Sequence, residues 1–224
     1  ERVSSICGDQ VTGVGSFESL SGDVYFDIII NSTGEPIADK RWTEEQKQVI
    51  VDSRFGTTSR IVDYIRSASR KPKLLINSSA CGFYGDQGDA LLDEESQGRA
   101  CFTHDFTTKT EAKAFEVKAL GVRVAIMRTG IVLGLEGGML QKTLPIFRKG
   151  LGGKMGSGRQ WLPWIHIEDH VNLFMMIVEQ ERLVGVFNGA APYPVTNAEY
   201  TKRLAGVVGR SARFGVPRWL LYLL

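Results

Sequence analysis

The stretch "LLINSSACGFYGDQGD", residues 74–89, decides how the chain is read. Leu74, Leu75 and Ile76 are apolar without alternation, as in a strand buried on both faces. They run straight into Asn77, Ser78 and Ser79 and then into a Gly-Phe-Tyr-Gly turn. The same change recurs in "IIINSTG" at 28–34 and in "RTG" at 128–130, which follows the apolar run of residues 124–127. Each is explained either by an ordinary turn or by a ligand site. Three together favour a shared crevice, because ligands of open α/β sheets bind outside the carboxyl ends of the strands.

Helical segments separate these runs. Thr43 with Gln46 forms a capping-box pattern. It opens a helix carrying Val49, Ile50, Phe55, Ile61, Val62 and Ile65 near a 3.6-residue repeat. Lys71-Pro72 ends that helix, and residues 73–77 form the next strand. A second helix is expected from about Phe102 to Leu120, then a strand over "VRVAIMRTGIVLG". A helix over 139–149 tolerates Pro145, and "WIHI" (164–167) is extended. Glu168 to Glu181 is helical and "GVFNGAA" (185–191) a strand. A second capping pair, Thr196 with Glu199, opens a helix to about Val208. Residues 24–30 read as the first strand. Strand-helix alternation with apolar strands predicts an α/β fold with a mostly parallel sheet covered by helices.

Composition narrows the function classes. A net charge of +2 over 224 residues offers no broad electrostatic footprint for nucleic acid. No apolar run reaches the roughly 18 residues of a membrane span, and no signal-peptide layout opens the chain. Cys7, Cys81 and Cys101 are odd in number and lack CxxC spacing, so neither a disulfide framework nor a zinc site is expected. A reducing, cytoplasmic setting fits, with a small-molecule substrate and no bound metal; a homodimer is left open.

Longer pieces carry a specific likeness. "NSSACGFYG" resembles the Ser-Ser-x-x-x-Tyr-Gly segment of extended short-chain dehydrogenase/reductases, and "IIINSTG" their Asn-Ala-Gly-type strand end. "GEPIADKRWTEEQKQVIVDSR", "LPIFRKGLGGKMGSGRQWLPWIHIEDHVN" and "GVFNGAAPYPVTNAEY" are similar to the YfcH-type, or SulA-type, NAD(P)-dependent epimerase-like family. The likeness covers about residues 26–218. It implies a Rossmann-like, doubly wound fold with a small C-terminal substrate lobe. Residues 1–135, with the strand near 164–167, would form the dinucleotide-binding core, and 136–224 mostly the lobe and the C-terminal helices. It also implies NADP, with NAD as the alternative. The family's Gly-x-x-Gly-x-x-Gly loop has no counterpart in residues 1–27, where Gly13 and Gly15 are weak stand-ins, so the N-terminal unit reads as incomplete. The family's usual C-terminal segment is not matched either.

The resemblance also implies site residues. A serine of that segment hydrogen-bonds the reacting carbonyl, which makes Ser79 the catalytic candidate; its rival role is capping a strand-end turn. Tyr84 either replaces a missing phenol or packs as an aromatic. Lys109, followed by Thr-Glu-Ala as the superfamily lysine is, either contacts a ribose or is merely solvated. Four residues earlier stands Asp105, where active members carry tyrosine. An ionised carboxylate cannot donate the proton that tyrosine would. Asn31, Thr33, Gly34, Ser78, Thr129 and Gly130 are cofactor-binding candidates at the strand ends. Glu35, Arg159 and Trp161 are substrate-binding candidates; a guanidinium suits phosphate or carboxylate. Arg128 is read as structural, His104 as an exposed helical residue, and His166 as inward-pointing. Two functions follow: an NAD(P)-dependent oxidoreductase or epimerase acting on a small polar substrate, nucleotide-linked compounds included, or a catalytically weak nucleotide-binding regulator linked to cell division.

Overall fold

The computed structural model describes residues 24–215 together with Thr12 and Val14. Gly13, Gly15 and the segment Trp219–Leu224 lie outside the described residues. Four parallel strands form the central sheet in the order β1, β2, β3, β7: β1 Ile28–Asn31, β2 Leu74–Ala80, β3 Arg123–Thr129 and β7 Gly185–Gly189. The first strand is shorter than residues 24–30 suggested; only its last turn-proximal part pairs with β2.

The unbroken apolar text of these strands follows from covering on both faces. Leu75, Val124 and Ile126 pack against Ile61, Val62, Ile65, Ala114 and Val117 on one side. Leu74, Ile76, Ala125 and Met127 pack against Ile177, Leu173 and Phe174 on the other. Burying one such aliphatic side chain contributes about 1.5–3 kcal/mol. The first cover comes from α2 (Thr57–Ser67), which continues α1 (Glu44–Val51), and from α3 (Phe102–Phe115), the second from α5 (Ile167–Glu179).

Helices α1 and α2 are one rod interrupted by a π-helical turn, Asp52–Gly56. Ile50, Thr58, Ile61, Val62 and Ile65 are buried along it, whereas Val49 and Phe55 are 45% and 37% exposed. A uniform repeat fails there because the wide turn shifts the helical phase. Thr43 caps α1 by accepting from the Gln46 backbone N–H (3.2 Å), but the Gln46 side chain reaches Glu35 instead, so half of the capping box forms. The second pair is complete: Thr196 and Glu199 cap α6 (Asn197–Val207) in both directions.

The long strand expected after Val122 breaks at Gly130. There the backbone N–H of Gly130 donates to Gly189, that of Ile131 to Pro163, and the chain leaves the sheet. It continues as β4 (Ile131–Leu133), which pairs in parallel with β6 (Trp164–His166). The strand near 164–167 therefore joins β4 and not the central sheet. A smaller cluster, Phe147 with Leu204 and Ala205, joins α4 (Gly138–Arg148) to α6, beside the antiparallel pair β5 (Trp161–Leu162) and β8 (Val195–Thr196). Among the described residues no helix is long and apolar enough to cross a membrane.

Candidate functional site

The parallel register sets Asn31 beside Asn77, Ser79 beside Arg128 and Thr129 beside Gly189. All carboxyl ends therefore meet one rim. A crevice of about 240 Å³ opens there. Its walls are Ser32, Thr33 and Gly34 after β1, Ser78, Ser79 and Ala80 at the end of β2, and Thr129 at the end of β3. Helix α3 adds Phe106, Thr107 and Thr110, the π turn adds Arg54, and α5 adds His170. The convergence of the three strand ends is thus observed.

Asn31 lies beneath the crevice and not in it. It is 4% exposed; its amide donates to Asn77 (2.7 Å) and Thr58 (3.1 Å), and its oxygen accepts from the Thr33 hydroxyl (2.7 Å). Its work is to fix the bend that presents residues 32–34. Gly130 also stays out of the lining. A Cβ there would sit 2.6 Å from the Pro163 carbonyl oxygen, so close backbone approach explains this glycine.

Ser79 faces the crevice, but its hydroxyl donates to Glu111 at 2.6 Å. Glu111 is held in turn by Arg128: Nε to Oε1 at 3.0 Å and Nη2 to Oε2 at 2.8 Å, both side chains at most 7% exposed. Arg128 also donates to the Tyr84 hydroxyl (3.1 Å), which donates to Asn188 (2.7 Å). The guanidinium sits over the Phe83 ring, its Cζ 3.3 Å from the centroid. Burial alone would lower the Arg128 pKa; the hydrogen bonds and charge of Glu111 and Tyr84 outweigh it and raise the pKa above its ordinary value. Tyr84 is 5% exposed and committed to this network, so the structure does not bring its phenol into the crevice. Arg128 is structural, as read.

The helix after the serine strand presents a face other than the one marked in the sequence. Lys109 and Asp105 are exposed and outside the lining. Side chains spaced around α3 at 3.6 residues per turn place Phe106, Thr107 and Thr110 inward instead. The hydroxyls of Thr107 and Thr110 donate to backbone carbonyls one turn back. His104 is not a free surface residue: its Nδ1 bonds the Phe83 carbonyl oxygen at 2.7 Å. His166 is exposed and caps α5, accepting from the Glu168 N–H, and so does not point inward.

The substrate-binding candidates are not among the residues lining the crevice. Glu35 is paired with Lys40 (2.9 Å), Arg159 is exposed, and Trp161 is 43% exposed with its Nε1 donating to Asp89 (2.8 Å). Arg54, Glu111 and His170 were missed. Arg54 had a findable signal, since it falls between Ile50 and Thr58 on the inward stripe. His170 meets the Thr129 hydroxyl at 3.0 Å and stacks edge-on against Phe174. Burial lowers its pKa below the ordinary value, which favours the neutral imidazole, and among the described residues it is the only imidazole lining the crevice. Cys81 and Cys101 are free thiols, and no cluster of metal-ligating side chains occurs among the described residues.

The site consists of hydroxyls, one neutral imidazole and one guanidinium at the carboxyl rim of a parallel sheet. The chain as a whole is similar to known proteins. A family model described as "NAD dependent epimerase/dehydratase family" matches residues 6–188. The Epimerase family protein SDR39U1 homolog, chloroplastic, of Arabidopsis thaliana is 36% identical over 195 residues, 86% of this chain and 56% of its own length. Epimerase family protein Mb2239 of Mycobacterium bovis is 36% identical over 191 residues, 85% of this chain and 63% of its own. This chain therefore spans roughly three fifths of these curated relatives. The crystal structure of human epimerase family protein SDR39U1 (isoform2) with NADPH superimposes with a TM-score of 0.88 at 31% identity, covering 99% of this chain and 79% of that one.

Proposed function

Because the chain belongs to the NAD dependent epimerase/dehydratase family, we propose that its crevice receives the reactive end of a nicotinamide dinucleotide, NADP first and NAD second. The substrate would be a small polar molecule, nucleotide-linked compounds included. The observation that carries this reading is the meeting of Thr33, Gly34, Ser78, Ser79 and Thr129 in one hydroxyl-rich crevice. NADPH in the human relative supports it. Whole-ligand pockets run to about 300–1,000 Å³; at about 240 Å³ this crevice suits one end of a dinucleotide. The groups on the three strand ends fit that end: Ser32, Thr33, Gly34, Ser78, Ser79, Ala80 and Thr129 are all small.

When bound, the nicotinamide would supply hydride transfer. The chain's own residues would orient and exchange protons. The Ser79 hydroxyl donates its hydrogen bond to Glu111, so its oxygen lone pairs would accept from a substrate hydroxyl. Thr129 and His170 form a pair through which a proton can leave that hydroxyl. Residues 136–224 apart from α5 and β7, which belong to the central layers, would supply most of a substrate lobe. Free Cys81 and Cys101 support a reducing compartment.

The test is thermal. At a hundredfold excess over Kd, NADPH should add about 2.7 kcal/mol of stability, or about 5–11 °C for a chain of this size. An unchanged melting temperature at millimolar NADPH and NADH would refute cofactor use. A second reading, nucleotide binding without turnover in a regulatory protein linked to cell division, is favoured by one observation: among the described residues no phenol lines the crevice, with Asp105 in the tyrosine position and Tyr84 buried elsewhere. Cofactor binding with no turnover across hydroxyl and carbonyl substrates would select it.

A further inference from the structure

Among the described residues Arg54 is the one cation in the crevice lining, and its contacts there leave most of its donors unengaged. Its guanidinium has five N–H donors. Within the described residues only Nη1 is engaged, with the Ile50 carbonyl and the Ser53 hydroxyl, both at a long 3.4 Å. Among the described residues no carboxylate lies within salt-bridge distance; Glu35, the carboxylate that acts on it through charge, is paired with Lys40 at 2.9 Å. Burial lowers the Arg54 pKa, with Glu35 only partly opposing it. Arg128 shows what a fold-consumed arginine looks like in the same molecule: a buried carboxylate, a phenol and an aromatic face.

The surroundings are shaped for that side chain. Gly34 lies against it, and a Cβ there would come within 2.8 Å of the Arg54 Cζ. Phe106 walls its other side, 5.6 Å from ring centroid to Cζ. Ser32 and Ser78 line the same crevice, and neither hydroxyl donates to an acceptor among the described residues. A partly desolvated cation without a counter-charge is costly, and a planar fork with two free hydroxyls matches a tetrahedral oxyanion.

We propose that Arg54 is an anion-binding residue that takes a phosphate group of the ligand in this crevice, with Ser32 and Ser78 completing the shell. The phosphate has two sources: the dinucleotide itself, in which case the inference rests on the cofactor reading above, or a phosphorylated substrate. Calorimetric titration of the purified protein with pyrophosphate and with NADPH separates them. Arg54→Gln should weaken pyrophosphate binding about tenfold or more, a loss expected for a charge-assisted contact. Arg60→Gln, the same charge change on an exposed position of α2, should leave it within about twofold. A parallel loss for NADPH assigns the phosphate to the cofactor; pyrophosphate loss with NADPH unchanged assigns it to a substrate. Arg54→Lys keeps the charge without the fork and should lose about fivefold, which keeps the test open should the glutamine variant fail to fold. Equal affinities of wild type and both Arg54 variants for pyrophosphate and NADPH, or a wild type that binds neither, would overturn the proposal. A wild type that binds pyrophosphate but not NADPH would overturn the cofactor reading alone.

Discussion

Replacing Glu111 by glutamine removes one charge and almost no volume from the centre of the molecule. The carboxylate accepts three hydrogen bonds, from Ser79 and from two nitrogens of Arg128. A glutamine can keep its oxygen at Oε1, serving Ser79 and Arg128 Nε, but its NH₂ then faces Arg128 Nη2 donor to donor. Arg128, 5% exposed, is left as a buried cation without its partner. Breaking such a pair from one side costs about 3–5 kcal/mol, against about 5–15 kcal/mol for a whole domain. At about 2–4 °C per kcal/mol the melting temperature should fall about 6–20 °C. The exposed pair Arg66–Glu116 is the control, since Glu116→Gln should cost no more than about 1 kcal/mol. Removing both charges, Glu111→Leu with Arg128→Met, should recover at least half of the loss, because a buried pair is often replaceable by apolar residues. Urea denaturation read by far-ultraviolet circular dichroism measures all four proteins. A Glu111→Gln variant within about 1 kcal/mol of wild type would show that the network is not holding Arg128 in place.

Other outcomes follow from the same coordinates. His170 has its pKa lowered by burial, so the unfolded chain takes up its proton more readily than the folded one. Stability contributed by neutral His170 is present above its ordinary pKa of 6.5 and is lost as pH falls through the lower folded value; His170→Asn should flatten the fall of the melting temperature below pH 6.5. Gly130→Ala should destabilise by about 1–3 kcal/mol, since its Cβ meets backbone 2.6 Å away, and a stability equal to wild type would contradict the close approach. Asp105→Tyr should give no gain of reductase activity, because position 105 faces solvent; any gain would mean that α3 turns differently.

The crevice itself was legible before any coordinates. Ile76-Asn77-Ser78 and its two counterparts mark strand ends because a buried apolar run can stop only where backbone and small polar groups meet solvent or ligand. The residues contributed by helices were not legible in the same way. Lys109 and Asp105 satisfied a spacing, yet spacing does not set helical phase, and Phe106, Thr107 and Thr110 took the inward face. Glu111 was passed over because nothing in "TEAKA" shows that a glutamate sits beneath a serine. Gly130 hid a strand break inside continuous apolar text, since the competing partners, Gly189 and Pro163, are distant in sequence. The extra-wide turn at residues 52–56 leaves no compositional trace.

That wide turn has a mechanical corollary. A guanidinium carried by a loop must be gathered in when its guest arrives, and the loss of motion subtracts from affinity. Here the bearing is a continuous helical rod braced at Ile50 on one side and Thr58 on the other, both 0% exposed. The cation therefore waits in its working position, and its reach is altered less by loop grafting than by deleting a single residue between Asp52 and Gly56. Such a deletion would straighten the rod and swing the charge about 100° around it.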